Sequence, residues 1–457
     1  MQEQTMNPLG HEPIGKLLMR FALPAVISML VNAIYNIVDQ IFIGHGVGFL
    51  GNAATTIALP IVTIILAVST LLGAGGSAFA AIKLGEGNHR AADRSLGTVF
   101  TVGVVSGLLL STLGLGFLTP LVTLFGAGET TLLYAQQYTG IILMAAPFNL
   151  LSICLSNFAR TDGNPLLSMT SMLVGAILNT ILDPIFIFVF HWGVAGAAVA
   201  TAISQVVSAV MLIWYFTHNS QMRLKFCSLK PDFRILKQIL ILGVSSCALH
   251  LASTVLNILL NNLLVTYGDQ SAVGGDVALS AMGIVMKISM IVISICVGIG
   301  VGNQPILGFN RGANQPARVK KSYLTALAFA VSFTTLGWIL SECIPEYVLL
   351  LFGRENATFT DFAVRCMRIC NGALFVAGMQ IVTTHYFQST GQPMKANFLS
   401  LLRQILLLVP MLLILPRFIG LDGVLFSYLF ADIITGCVVV PLIIKELKKL
   451  NRQINEQ

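Results

Sequence analysis

Long apolar runs separated by short polar breaks fill almost the whole chain. Twelve runs can be drawn, near 17–43, 53–82, 95–119, 134–158, 166–190, 194–216, 236–266, 279–306, 320–343, 358–390, 394–417 and 423–445. A helix of about 20 apolar residues crosses the hydrocarbon core of a bilayer. Lipid offers the backbone no hydrogen-bonding partners, so spans of this length must be helical. The pattern therefore predicts an all-α membrane protein with twelve transmembrane helices.

Composition agrees. Of 457 residues, 56% are hydrophobic and only 10% charged, against about 25% charged in soluble domains. The net charge of +7 raises the question of nucleic acid, but its placement answers it. With the N-terminus placed in the cytoplasm, twenty of the 26 Lys and Arg residues fall on the cytoplasmic side. They occupy the N-terminal segment (Lys16, Arg20), the loops holding Lys83 to Arg94, Arg160, Arg223 to Lys237, Arg311 to Lys321 and Lys395, and the tail from Lys445 to Arg452. Only Arg354, Arg365, Arg368 and Arg417 fall outside, and Lys287 and Arg403 lie within spans. That is the positive-inside pattern, with both termini cytoplasmic. No nucleic-acid partner is expected, and the lipid bilayer is. The opening "MQEQTMNPLGHEPIGK" is polar and runs directly into a full-length span, so no cleavable signal peptide is expected. The eight cysteines are scattered; Cys366 and Cys370 could share a helix face, but no neighbouring His or Cys pair completes a metal site.

The chain repeats itself. "LFGAGE" at 124–129 returns as "LFGREN" at 351–356, "FARTDGNP" at 158–165 as "YFQSTGQP" at 386–393, and "GVAG" at 193–196 as "GLDG" at 420–423. "GSAFAAIKLGEGN" at 76–88 corresponds to "GNQPILGFNRGAN" at 302–314. The predicted organisation is an N-terminal six-helix lobe over 1–216, a basic linker over 217–235, a second six-helix lobe over 236–445 and a tail over 446–457. Six spans per half give both halves one orientation, and parallel repeats of this kind build secondary transporters with sites at the repeat interface.

Acids inside apolar runs are the candidate chemistry. In "ILNTILDPIFIF" (177–188), Asn179 and Asp183 are four apart on one helix face, and Pro184 lacks the N–H that the carbonyl of Thr180 would bond. A carboxylate at bilayer depth is a functional hypothesis by default. On the first helix Asn32, Asn36 and Asp39 form a polar stripe, with Tyr35 four residues before Asp39. Thr201 lies in the small-residue run "AGAAVATAIS", where helices approach closely. The bland alternative is that such groups only tie helices together. In the second half Asn261 and Asn262 stand opposite Asp39, and Pro410 opposite Asp183, so the acids are expected only in the first lobe. The second carries Lys287 and Arg403 instead, with Gln304 and His385 nearby, expected to shape a substrate cavity or to make inter-lobe polar contacts. Sixteen Met and 27 Phe suit a pliable cavity but equally suit a lipid face.

The motifs "NIVDQIFIG" (36–44), "RTDGNP" (160–165), "ILNTILDPIFIF" (177–188), "NQPILGFNRGA" (303–313) and "SLLRQILLLVP" (400–410) together carry a resemblance. The chain is similar to the multidrug and toxic compound extrusion (MATE) family, in its bacterial MepA/DinF-like branch. The resemblance implies a two-lobed antiporter of the bacterial cytoplasmic (inner) membrane. It would expel small amphipathic, often cationic, compounds against a sodium or proton gradient. It maps the coupling-cation site onto Asp39, Asn179, Asp183 and Thr201, with Tyr35, Asn36, Tyr138 and Asn157 as neighbours. No cofactor beyond the coupling Na+ or H+ is expected, and one copy should suffice. The alternative is a related exporter of a lipid-linked saccharide or another anionic metabolite, or a membrane protein without transport activity. An enzyme is not expected, because "GxxxxGK[ST]", "HExxH" and "DDxxD" are all missing. The runs "GAGG" (73–76) and "GIGVG" (298–302) fall inside spans at matching places and are read as helix-packing sites.

Overall fold

The computed structural model describes residues 8–225, 229–350 and 357–456. The segment 1–7, Cys227, Arg354 and the repeat copy "LFGREN" lie outside the described residues. A short helix α1 (Pro8–His11) leads into the first lobe. Its helices are α2 (Ile14–Gly46), α3 (Phe49–Gly85), α4 (His89–Gly116), the short α5 (Leu118–Leu124), α6 (Leu132–Thr161), α7 (Pro165–Pro184) and α8 (Gly193–His218). The second lobe holds α9 (Phe233–Asp269), α10 (Gly275–Gly312), α11 (Pro316–Cys343), the short α12 (Pro345–Leu350), α13 (Ala357–Asn371) and α14 (Leu374–Ser389). It ends with α15 (Pro393–Leu401), α16 (Val409–Ile414), α17 (Pro416–Ile419) and α18 (Leu421–Asn455).

Among the described residues, eleven helices are long and apolar enough to span, and a twelfth span is the pair α13–α14, bent by 44°. The run at 358–390, expected to be one helix, is thus broken at Gly372 and Ala373. The even count puts both described ends of the chain on one face; the other face is called distal below. Apolar cores lie toward each face: Leu96, Leu150, Phe158 and Phe216 pack at one end of the first lobe together with Ile239 and Leu242 of α9, and Ile43, Ile57, Ile65 and Ile142 pack at the other.

Prolines in the fifth helix of each repeat are absorbed as π-helical turns. In the first lobe the turn covers Ile185–Val189, directly after Pro184, and the amide of Phe190 donates to the Ile185 carbonyl at 3.0 Å. In the second it covers Leu402–Leu408, ahead of Pro410. Such turns widen the ladder by one residue and re-aim the side chains around them.

The lobes meet backbone to backbone on the terminus-bearing half, through glycines of the two runs singled out above and through Gly243. A Cβ on Gly75 (α3) would strike the Ile239 carbonyl of α9, and one on Gly243 (α9) the Leu71 carbonyl. A Cβ on Gly298 (α10) would lie 2.6 Å from Val26 Cα, and one on Gly302 2.5 Å from Ala22 Cα, both on α2. Toward the distal face a cavity of about 310 Å³ separates α2 and α3 from α10. The cleft is closed on the terminus side and open on the distal side.

The linker is no loose tether. Asp162, in the turn after α6, accepts from the amides of Met222 (2.7 Å) and Gln221 (3.1 Å) and from the Tyr215 hydroxyl (2.7 Å). Thr101 donates to the Leu229 carbonyl at 2.7 Å. The linker is therefore fastened to the first lobe. Burial pushes the Asp162 carboxyl up to about 6, only partly opposed by those three donors.

Candidate functional site

Four helices of the first lobe bring their polar side chains to one place. On α2, Asp39 lies 40° around the axis from Tyr35, at about 100° per residue, so the two point the same way. On α7, Asn179 and Asp183 are one turn apart, and the amide of Asn179 donates to Asp183 Oδ1 at 3.2 Å. The same amide reaches Thr201 Oγ1 on α8, also at 3.2 Å. Tyr35 lies within hydrogen-bonding reach of Thr201. The carboxyl groups of Asp39 and Asp183 lie within hydrogen-bonding reach of each other. Tyr138 on α6 stands beside both acids and Tyr35.

The cluster is sealed. Asp183 is 0% exposed, Asn179 1%, Thr201 6%, Asp39 8% and Tyr138 8%. By helical rise, Asp39, Tyr138 and Thr201 lie within about 12 Å of the distal ends of their helices. Three oxygens in it, Asp39 Oδ1, Asn179 Oδ1 and Asp183 Oδ2, are buried without a hydrogen-bond donor. Buried acceptors are ordinarily paired, and no Lys or Arg forms an ion pair with either acid among the described residues. Two carboxylates this close in a dry site need a proton or a cation between them. The donor set, two carboxylates with an amide and a hydroxyl oxygen, is chemically suited to a small hard cation and equally to a shared proton.

Two expected neighbours are elsewhere. Asn36 is turned about 60° from Asp39, in the direction away from Tyr35, and its amide bonds the Asn32 carbonyl at 2.6 Å on the exposed side. Asn157 is 19 residues from Tyr138 on α6, about 28 Å along the axis. There it accepts from Arg160 at 2.8 Å. Arg160, expected as a loop charge, is itself buried at 4% exposed and donates to Ser168 at 2.5 Å.

The second lobe departs further from expectation. It does hold buried acids: Asp432, 1% exposed, and Glu446, 3% exposed, both on α18. Arg403, in the π-helical turn, donates to both oxygens of Asp432, the longer contact at 3.3 Å. Arg403 therefore closes an ion pair inside its own lobe rather than lining the cleft or bridging the lobes. Glu446 binds Lys395 at 2.9 Å and Gln392 at 2.8 Å. Gln304 donates to His385 Nδ1 and to Gln388 Oε1, both at 3.0 Å, and Gln388 in turn reaches the Leu242 carbonyl. His385 also lies within electrostatic reach of Arg160 across the lobe boundary. Asn261 and Asn262 are exposed in the distal half of α9, away from the acid cluster. Lys287 is not buried; it is exposed and lines the distal cavity. Asp432 went unnoticed in the sequence, although an acid in the run "LFADIITGCVVV" is as conspicuous as Asp183.

Comparison with known proteins places this arrangement. The MatE family model matches residues 24–185 and 270–414. The multidrug export protein MepA of Staphylococcus aureus (strain N315) is 28% identical over 445 residues, 97% of this chain and 96% of the relative. A solved structure of the MATE multidrug transporter DinF-BH is 33% identical and covers 97% of this chain and 98% of its own, with a TM-score of 0.88. An outward-facing multidrug resistance MATE family transporter of the MOP superfamily shares the fold at a TM-score of 0.89, with 23% identity and 97% of this chain covered. Matched over both lobes and almost the full length, this chain belongs to the MatE family of multi-pass membrane transporters, which are transporters and not enzymes.

Proposed function

We propose that this protein is a secondary active antiporter that exports small amphipathic organic compounds, often cationic, in exchange for Na+ or H+ by alternating access. The observation that carries the reading is the Asp39–Asp183 pair, buried without a basic partner, which with Asn179 leaves three oxygens free of donors. A structural tie between helices would use those oxygens; a site that takes up and releases a cation keeps them available. The coupling cation, a transported species here, would be held by Asp39, Asp183, Asn179 and Thr201. Tyr35 and Tyr138 stand beside it within the lobe and help to exclude water.

The way the lobes touch supports alternating access. The glycine contacts close the terminus side, and the cluster lies near the open distal side. In the proposed orientation the termini are cytoplasmic, in the bacterial inner membrane, so the distal face is external, where the coupling cation enters. The names of the MepA relatives and of DinF-BH support a multidrug range. The lipid-linked saccharide alternative would use several cations along the cleft; Arg403 is committed to Asp432, and among the described residues Lys287 is the one Lys or Arg that lines the distal cavity.

The test is ethidium flux in proteoliposomes, with a sodium gradient and a pH gradient imposed separately. One gradient should drive flux in wild type, and Asp183→Asn should reduce it to the leak rate. Undiminished gradient-driven export by an Asp39→Asn, Asp183→Asn double variant would sink the reading.

A further inference from the structure

Below the acid cluster a line of polar side chains runs on through the first lobe toward the terminus-bearing face. α7 and α8 are antiparallel, and their facing sides pair in register. Asn179 meets Thr201 through its amide at 3.2 Å. Two turns back along α7, the Ser171 carbonyl accepts from the Ser208 hydroxyl at 2.9 Å. Between these rungs a Cβ on Gly175 would lie 2.6 Å from Ser208 Oγ and 3.5 Å from the Ser204 carbonyl. A further turn on, the Ser171 hydroxyl donates to the Ser168 carbonyl at 3.0 Å. Ser168 Oγ itself lies 2.7 Å from Ser156 Oγ of α6 and accepts from Arg160 at 2.5 Å. The seam thus joins the cluster to the last turns of α6, about 17 Å along α7 from Asn179.

Its members are buried: Ser168 and Ser171 are 1% exposed, Ser156 4%, Ser204 5% and Ser208 8%. Small polar residues on facing helices also let backbones approach closely, and packing alone would account for the serines. It does not account for the two ends. At the head, Asn179 is 1% exposed and its Oδ1 has no donor; Gln205 Oε1, one turn past Thr201 on α8, is likewise buried without one. At the foot, Arg160 is 4% exposed and held by the neutral Ser168 and Asn157. No acid pairs with it among the described residues. A buried guanidinium without a counter-charge is costly, and at this place it repels positive charge from the end of the seam.

We propose that the seam is a proton conduit from the Asp39–Asp183 pair to the terminus-bearing face, with Arg160 as its gate. This rests on the antiporter reading above and commits its coupling cation to H+. The rungs stand about 5.4 Å apart, one helical turn, a gap that one water spans with two hydrogen bonds. The free oxygens of Asn179 and Gln205 orient water at the head. At the foot Ser156 and Ser168 touch, which leaves no room for Na+ with its shell of oxygens. A proton needs only hydroxyls that accept on one side and donate on the other. Asp183 gives up its proton and ends as a carboxylate; each hydroxyl takes a proton on its oxygen and passes its own forward. The last proton goes to solvent beside the half-buried Asn157. The charge of Arg160 opposes a proton arriving at Ser168, so the conduit is shut in this state. His385 of the second lobe lies within electrostatic reach of Arg160, so movement of the lobes changes the field at the gate.

The test uses the full chain in proteoliposomes with an entrapped pH dye and ethidium as substrate. Under a pH gradient the Ser168→Ala, Ser171→Ala variant should export ethidium about 10-fold more slowly, the rate equivalent of one buried hydrogen bond. Its ethidium affinity and unfolding temperature should match wild type. Arg160→Gln should act in the opposite sense and dissipate a pH gradient without ethidium, and adding the two serine changes should return that leak to the wild-type level. Unchanged export in the serine variant, a slowing that comes with a lower unfolding temperature, or Arg160→Gln vesicles as tight to protons as wild type would overturn the conduit. A wild type driven by a sodium gradient and not by a pH gradient would also overturn it and leave the antiporter standing. A wild type that moves ethidium under neither gradient would overturn the antiporter reading itself.

Discussion

The two lobes descend from one plan and treat a buried acid in opposite ways. In the first, Asp39 and Asp183 face each other with Asn179 and Thr201 and no cation side chain. In the second, Asp432 is as deeply buried, but Arg403 neutralises it. Each lobe sets a π-helical turn beside its charge: Ile185–Val189 begins two residues after Asp183, and Leu402–Leu408 contains Arg403. The same backbone device thus serves two ends. A resident guanidinium satisfies its acid permanently and makes it structural, whereas an acid pair without one must find a mobile partner. On the antiporter reading, depth of burial does not mark the working acid; the identity of its partner does.

The comparison breaks most visibly if the first lobe's acids can be spared, which is why Asp183→Asn is expected to reduce gradient-driven flux to the leak rate. The second lobe should fail differently. Arg403→Met alone leaves Asp432 uncompensated in the interior and should destabilise the protein by about 3–5 kcal/mol, read as thermal unfolding in detergent. The double change Arg403→Met, Asp432→Leu should recover most of that stability and keep ion-coupled flux. Flux lost in a stably folded double variant would make the second pair part of the coupling machinery and erase the contrast.

A smaller effect sharpens the picture at the terminus-bearing face. There each lobe clamps the turn after its fourth span with an acid: Asp162 holds the linker from within the turn, whereas Glu446 reaches the turn from α18. Because the Asp162 carboxyl is raised from 3.8 to about 6, the folded lobe binds the proton more tightly than the unfolded chain. The linkage sign is then fixed: this contribution is full below about pH 4 and is lost as pH rises through about 6. Hydrogen-exchange protection of residues 219–224, corrected for intrinsic rate, should fall over that window in wild type. In Asp162→Asn it should stay flat.

Much of this was legible. Twelve spans, the two lobes and the glycine contacts follow from period, repeat and residue size. Asp183 and Asp39 stood out because acids are rare in such runs. Other features depend on geometry that spacing alone conveys poorly. Asn36 and Asp39 look like one stripe until the helix is turned and the 60° between them separates cleft from interior. The rise along α6 already separates Asn157 from Tyr138, and that arithmetic was within reach of the sequence. The partner of Arg403 was hidden by comparing the halves position by position, which set Pro410 against Asp183 and passed over Asp432 on a different helix. The docking of the linker rests on backbone amides at Gln221 and Met222, which no side-chain pattern announces.

The central claim is that the first lobe's acid pair, and not the second lobe's ion pair, exchanges a cation for substrate. The most direct measurement counts protons or sodium ions released when ethidium binds purified protein in weakly buffered detergent. Wild type and the Arg403→Met, Asp432→Leu variant should release the same number, and Asp39→Asn, Asp183→Asn should release none while remaining folded. Release that survives loss of both first-lobe acids would contradict the account.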